Sequence, residues 1–333
     1  MSDKTQDKRM QLASKLTFLI VTVFACNIPS ASTPTPDLFA TLQTLSTPTV
    51  DLPQSPEPEA EPIGKIAFVC QIFKTQAQNQ ICIINADGTG FRRLTAEDNR
   101  QHYYPSVAPD GKSVVYAAFR EPNIYEIYEH SIDTNEVKQL TDRLGNLNGP
   151  EISPDGSLIA FKLSTGASNQ IWLMERDGSN PRPIPNAFGW DPTWSPDAHF
   201  ILFASDMAAG IQLYKIRLDG SELQRVSELP AIRGRSDWSP NSEFIVTYSG
   251  EPWKRDVYMM NADGSNAHVL TPTGGNSQGP SISPDGLWVA FTAYFDGYGE
   301  DHGCEIYIIR MDGTDLRRIT NNDYCDYQPR WGP

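Results

Sequence analysis

Five near-copies of one turn sequence run through most of the chain: Ala108-Pro109-Asp110-Gly111, Ser153-Pro154-Asp155-Gly156, Ser195-Pro196-Asp197-Ala198, Ser239-Pro240-Asn241-Ser242 and Ser283-Pro284-Asp285-Gly286. Their prolines, at 109, 154, 196, 240 and 284, are separated by 45, 42, 44 and 44 residues. A period in the forties is that of a four-stranded sheet repeated radially, the β-propeller blade. No other feature restricts the possible folds as much, because a unit of this size cannot bury its apolar face without a neighbour of the same kind.

The strands within each unit are legible. After the Pro-Asp turn comes an apolar run such as Ile159-Ala160-Phe161, Ile201-Leu202-Phe203 or Val289-Ala290-Phe291. A second run follows, such as Ile171-Trp172-Leu173 or Ile306-Tyr307-Ile308, and then a hairpin turn at Asp87-Gly88, Asp177-Gly178, Asp219-Gly220, Asp263-Gly264 or Asp312-Gly313. Glycine there supplies the positive φ of a tight hairpin. Thr134-Asn135 fills the same place in the second unit, and each unit closes near a Leu-Thr pair such as Leu94-Thr95, Leu140-Thr141 or Leu270-Thr271.

This series of a Ser-Pro-Asp-Gly turn, a strand, an Ile-Tyr strand, an Asp-Gly turn and Leu-Thr resembles the TolB-type, WD40-like propeller repeat, over essentially all of residues 64–333. The resemblance implies a fold, an all-β six-bladed propeller, and not a particular activity. TolB proper carries a separate mixed domain ahead of its propeller, so a role in the Tol envelope system is not carried over. The repeat opens at Lys65-Ile66-Ala67-Phe68, already a second strand, and ends at Pro329-Arg330-Trp331, which matches the innermost strand Pro192-Thr193-Trp194. The C-terminus is therefore expected to complete the N-terminal blade and remove an open seam.

Residues 63–333 form the expected propeller, and what precedes them reads differently. In residues 1–26, Lys4, Lys8, Arg9 and Lys15 precede an apolar run from Leu16 to Ala25 and then Cys26. That is the order of an export signal, and the run is too short to span a bilayer as a mature helix. Val23-Phe24-Ala25-Cys26 resembles a bacterial lipoprotein signal, which implies lipidation of Cys26. An ordinary cleaved signal and an uncleaved anchor are the alternatives. Residues 27–62, rich in Pro, Thr, Ser and Glu, lack the apolar area to repay ordering and read as a disordered tether. Pro-rich chain extends about 3.1 Å per residue, so the tether reaches as far as roughly 100 Å. The expected location is the bacterial cell envelope, at the periplasmic or extracellular face of a membrane.

Four cysteines remain after Cys26, and in an exported chain they permit disulfides. Strand order favours Cys70 with Cys82 and Cys304 with Cys325, against buried free thiols. The formal net charge of −14 excludes a nucleic-acid backbone as partner, which would need clustered Lys and Arg.

Where the repeat stops repeating, ahead of each innermost strand, the chain carries His102-Tyr103-Tyr104, Asn146-Leu147-Asn148, Gly189-Trp190-Asp191, Arg233-Gly234-Arg235, Asn276-Ser277-Gln278 and Asp326-Tyr327-Gln328. These segments are read as loops on one rim. His102, Tyr103, Tyr104, Asn148, Trp190, Asp191, Arg233, Arg235, Gln278, Tyr327 and Gln328 are the candidate ligand-binding residues. Aromatic faces beside amides suit a protein, peptide or glycan; the alternative is that they only plug the channel. Asp296, Glu300 and Asp301, with Asp323 and Asp326, offer hard oxygen ligands for calcium, although isolated acidic loops are usually solvated. No cofactor is expected, and the chain is expected to be a monomer.

Gly275-Asn276-Ser277-Gln278-Gly279 matches Gly-x-Ser-x-Gly, but it leads into an innermost strand and not from a strand into a helix as a nucleophile elbow does; no His-Glu-x-x-His helix or Gly-x-x-x-x-Gly-Lys-Ser phosphate loop occurs. The five histidines, His102, His130, His199, His268 and His302, scatter over the repeat. A binding scaffold is the favoured reading. A carbohydrate-active or peptide-active lyase or hydrolase using Asp191, Arg235, His102 and Asp326 is the alternative.

Overall fold

The computed structural model describes residues 60–71, 78–96, 100–121, 124–295 and 303–333, and statements below concern these. The export signal with Cys26, the tether before residue 60, the calcium candidates Asp296, Glu300 and Asp301, and His302 lie outside them.

Six four-stranded antiparallel sheets form, each ordered from the channel outward. Blade 1 pairs Asp326–Gly332 with Lys65–Gln71, Asn79–Asn85 and Arg92–Arg93. Blade 2 runs through His102–Val107, Ser113–Glu121, Ile124–Ser131 and Val137–Gln139; blade 3 through Asn146–Ile152, Leu158–Ser164, Asn169–Glu175 and Arg182–Phe188. Blade 4 comprises Trp190–Trp194, Phe200–Ala208, Gly210–Arg217 and Gln224–Arg225; blade 5 comprises Asp237–Trp238, Phe244–Ser249, Asp256–Asn261 and His268–Val269. Blade 6 comprises Gln278–Ile282, Trp288–Ala293, Glu305–Arg310 and Arg317–Arg318. The six innermost strands touch in cyclic order, the sixth against the first, so the ring is closed.

Closure takes the form expected of the sequence. Lys65 pairs with Gly332, Ile66 with Trp331 and Ala67 with Arg330, while the Trp331 indole Nε1 donates to the Ile63 carbonyl at 2.7 Å.

The second and third strands are apolar on both faces because each blade is sandwiched between two others. Successive side chains point to opposite faces. Ile66 and Phe68 therefore pack against Trp288, Ile306 and Ile308 of blade 6, and Ala67 and Val69 pack against Val114 and Tyr116 of blade 2. Each of the six blade interfaces holds one such cluster.

The recurring turn residues have recurring bonds. In blade 3 the Ser153 hydroxyl donates to Asp155 Oδ1 at 2.6 Å and accepts the Leu158 N–H at 2.9 Å, and Ser195 and Ser283 do the same in their blades. The Leu-Thr pair caps the third strand where the fourth leaves it. Thr141 Oγ1 accepts the Ile127 N–H at 2.9 Å and donates to buried Glu126 Oε2 at 2.5 Å; Thr320 treats Ile306 and Glu305 alike. Gly264, at φ +88°, sits where a Cβ would collide with the Val226 carbonyl of the preceding blade. That glycine is needed for close blade packing as well as for its turn.

Cys70 is joined to Cys82 across two strands of blade 1, with Cα atoms 5.8 Å apart. Cys304 is joined to Cys325 with Cα atoms 4.4 Å apart. The second link ties the third strand of blade 6 to the residue that opens the closing strand, so it bridges the seam of the ring.

Candidate functional site

Of the six irregular segments, Arg233-Gly234-Arg235 and Asn276-Ser277 remain loop, while the other four are mostly strand. In the structure most of their residues begin the innermost strands, and a repeated β-bulge aims them. Pairing with the second strand slips between Tyr103 and Ser106, Asn148 and Glu151, Trp190 and Thr193, and Gln278 and Ser281. Within each slip a residue of positive φ precedes a proline: Tyr104 at 55°, Gly149 at 60°, Asp191 at 53°, Gly279 at 57° and, in blade 1, Gln328 at 56°. A bulge bends the strand and re-aims its side chains. For Tyr104, Asp191 and Gln328, which have a Cβ, this backbone costs roughly 1–2 kcal/mol each.

The bulges stack the channel residues in tiers. Asn148, Trp190, Gln278 and Tyr327 stand uppermost, and Tyr104, Asp191, Arg235 and Gln328 stand below them; together they line a cavity of about 540 Å³. Arg233 and Tyr294 complete the rim, and Tyr294 meets the exposed indole of Trp253 edge-on at 6.2 Å.

Beneath lies a polar plug. Arg330, 3 % exposed, reaches across the channel to Glu151 Oε2 at 3.0 Å, Thr193 Oγ1 at 3.1 Å and Asp237 Oδ2 at 3.4 Å. Asp237 in turn accepts the Ser281 hydroxyl and the Ile282 N–H, both at 2.8 Å. Arg235 crosses higher up, its Nη2 donating to the Pro105 carbonyl at 3.1 Å and its guanidinium 5.8 Å from the Tyr104 ring centre. Burial, with Arg330 nearby, lowers its pKa to about 10. A second cavity of about 430 Å³, lined by Trp194, Trp238 and Trp331 among others, opens beyond the plug and shares no lining residue with the first.

Nine of the eleven candidate residues line the upper cavity, and His102 and Tyr103 do not. His102 is 2 % exposed, its Nδ1 3.2 Å from the Asn79 carbonyl and its ring against Tyr116. Tyr103 accepts from Asn79 Nδ2 at 2.8 Å and packs against Tyr125. His102 lies on the strand face that packs against Tyr116, and Tyr103, at the position where Asn148, Trp190 and Gln278 line the cavity, is drawn aside by Asn79 and Tyr125. The enzymatic alternative named four residues that do not converge. Asp191 and Arg235 line the cavity, whereas His102 lies within blade 2 and Asp326, 1 % exposed, is held by Asn322 Nδ2 at 2.7 Å.

Eight further residues line the upper cavity, and three that escaped the sequence reading share one position in the repeat: Lys162, Tyr248 and Thr292. All stand eight residues after the blade's turn proline, where blades 2 and 4 hold Ala117 and Ala204. Lys162 pairs with Asn148 and Thr292 with Gln278, so this position adjoins the top tier. A charged residue inside an otherwise apolar second strand was the available signal. Burial raises the Tyr248 phenol to about 12 and pushes those of Tyr104 and Tyr327 higher still, so all three stay protonated donors.

A ring of six such sheets, closed by its last strand and holding one irregular cavity at a mouth, defines a closed six-bladed β-propeller with a recessed cavity. The family model described as the TolB beta propeller domain matches residues 63–333. The chain belongs to that family. An uncharacterised protein of Agrobacterium fabrum is 31 % identical over 160 residues, covering 44 % of this chain and 54 % of that protein. The Tol-Pal system protein TolB of Bordetella pertussis is 26 % identical over 268 residues, covering 80 % of this chain and 59 % of that protein. The chain thus spans a little over half the length of these curated relatives. The crystal structure of TolB from Acinetobacter baumannii superposes with a TM-score of 0.72 at 22 % identity, over 82 % of this chain and 68 % of that one.

Proposed function

We propose that this chain is an exported cell-envelope protein, lipid-anchored through Cys26 and spaced from the membrane by residues 27–62, whose upper cavity captures a segment of a protein partner. The carrying observation is the cavity itself: about 540 Å³, lined by aromatic and amide groups and floored by a buried ionic plug. Concave sites of this size with a few converging polar groups are where ligands bind. The left-handed Tyr104, Asp191 and Gln328 support the reading, since backbone strain of this kind clusters at functional sites. That a relative carries the name of a Tol-Pal system protein supports a protein partner.

Residues 60–63 join the ring at the end away from the mouth, where the Ala60 carbonyl accepts from Arg310 Nη2 at 3.0 Å and the Ile63 carbonyl from Trp331.

Affinity capture from an envelope extract tests this, comparing the full chain with a Trp190→Ala/Tyr327→Ala variant of unchanged melting temperature. A defined protein retained only by the wild type is expected. Retention of polysaccharide instead, or equal retention by both chains, overturns it.

A further inference from the structure

The cavity is charged against the sign of the chain. Its lining holds three cations, Lys162, Arg233 and Arg235, and one anion, Asp191, a local balance of 3 − 1 = +2 in a chain of net charge −14. Arg233 is partly answered at the rim, where its Nη2 lies 3.5 Å from the exposed carboxylate of Glu251. Asp191 is engaged with the backbone, its Oδ2 accepting the Arg235 N–H at 3.1 Å. Its charge also opposes the burial of Lys162 and Arg235, the two cations deeper in the cup, but it forms no ion pair with either side chain.

Lys162 has no hydrogen-bond or ion-pair partner, although it is only partly exposed. Arg235 is 6 % exposed, and its Nη1 also lacks a partner. Leaving a charged donor desolvated and unpaired is costly, and natural structures keep such groups mainly where something else completes them. Besides Asp191, the neighbours of Lys162 are donors and rings: Asn148 pairs with it across the strands, and Trp190 and Tyr248 share its cavity. That set offers one anionic group a charge and hydrogen bonds, and offers the atoms around it flat apolar faces.

We propose that Lys162, with Arg235 behind it in the floor, forms a carboxylate subsite that takes an Asp or Glu side chain or the C-terminal carboxylate of a bound peptide. The subsite rests on the reading of the cavity as a peptide-binding cup and names the chemistry selected there. A peptide is favoured over an acidic glycan because the cup holds only two cations inside its rim, one behind the other under aromatic walls, which fits one carboxylate flanked by apolar groups better than a row of them.

Two bead libraries of random hexapeptides test it, one amidated and one with free C-termini, each screened with the full chain and with Lys162→Met and Lys162→Arg variants. The wild type is expected to enrich Asp or Glu from the amidated library, or any sequence with a free terminus from the other; the two arms tell side chain from terminus. Lys162→Met is expected to bind the selected peptides about tenfold more weakly, equivalent to about 1.4 kcal/mol. It should bind their Gln-substituted or amidated analogues within about twofold of wild type, a margin under about 0.5 kcal/mol. Lys162→Arg should keep the acidic preference, which a merely structural role for Lys162 would not predict.

Peptides enriched without acidic preference, or a preference that Lys162→Met leaves intact, overturn the subsite and leave the peptide cup standing. No enrichment from either library overturns both. Displacement of selected peptides by tetragalacturonate at lower concentration than by the peptides themselves overturns the peptide assignment in favour of an acidic glycan.

Discussion

Arg330 Nε donates to Glu151 Oε2 at 3.0 Å, and this bond joins the last strand of the chain to blade 3 across the channel. The pair is the centre of the plug on which the cavity stands. Burial raises the Glu151 pKa even though Arg330 opposes the shift. Removing one member of a buried pair typically costs about 3–5 kcal/mol, because the other is left desolvated. Arg330→Met is therefore expected to lower unfolding free energy by about that much. Glu151→Gln added to it should restore part of the loss, measured by urea denaturation of both variants.

The seam is predicted to be held twice, by pairing and by the Cys304–Cys325 link. Removing residues 329–333 leaves Lys65, Ile66 and Ala67 as an unpaired edge and should lower the melting temperature. Replacing Cys304 and Cys325 by Ser opens a 21-residue separation and should cost about 3 kcal/mol by loop entropy. Calorimetry of each variant under non-reducing conditions checks both.

Asp326 gives a pH signature. Burial, and then the nearby Glu305 carboxylate, raise its pKa from the ordinary 3.8 to about 7. Between those values the folded chain keeps a proton that the unfolded chain has released, so this residue's contribution falls as pH rises through the interval and is fully lost above it. Asp326→Asn keeps the acceptor for Asn322 and has no such charge. Its melting temperature should gain on that of the wild type from about pH 4 to about pH 7 and then run parallel. A constant difference would refute the assignment.

Trp253 separates binding from folding. It is 57 % exposed on the rim against Tyr294, and exposed substitutions usually change stability by less than about 0.5 kcal/mol. Trp253→Ala is expected to leave the melting temperature unchanged while reducing capture of the partner, measured by the same envelope retention.

The repeat made the fold legible because its signals are local. A Pro-Asp turn, an Asp-Gly hairpin and apolar runs buried on both faces act within a few residues, and their period sets the blade. Even the closure could be read, since Pro329-Arg330-Trp331 copies the innermost strand of blade 4. The cavity was legible only in outline: nine of eleven proposed residues line it, while His102 and Tyr103 turn into blade 2 and Lys162 was passed over inside an apolar strand.

What the sequence determined alone was the number of sheets, the order of strands within them and the rim on which irregular residues collect. The tertiary structure decided which side chains face the channel, because a one-residue bulge before each proline reverses the alternation on which a sequence reading depends. It also decided that Arg330 meets Glu151, 179 residues away, and that Lys162 stands in the cavity with Asp191 but without a hydrogen bond or ion pair. Charges brought together by closing a ring are set by radial geometry, which no local pattern encodes.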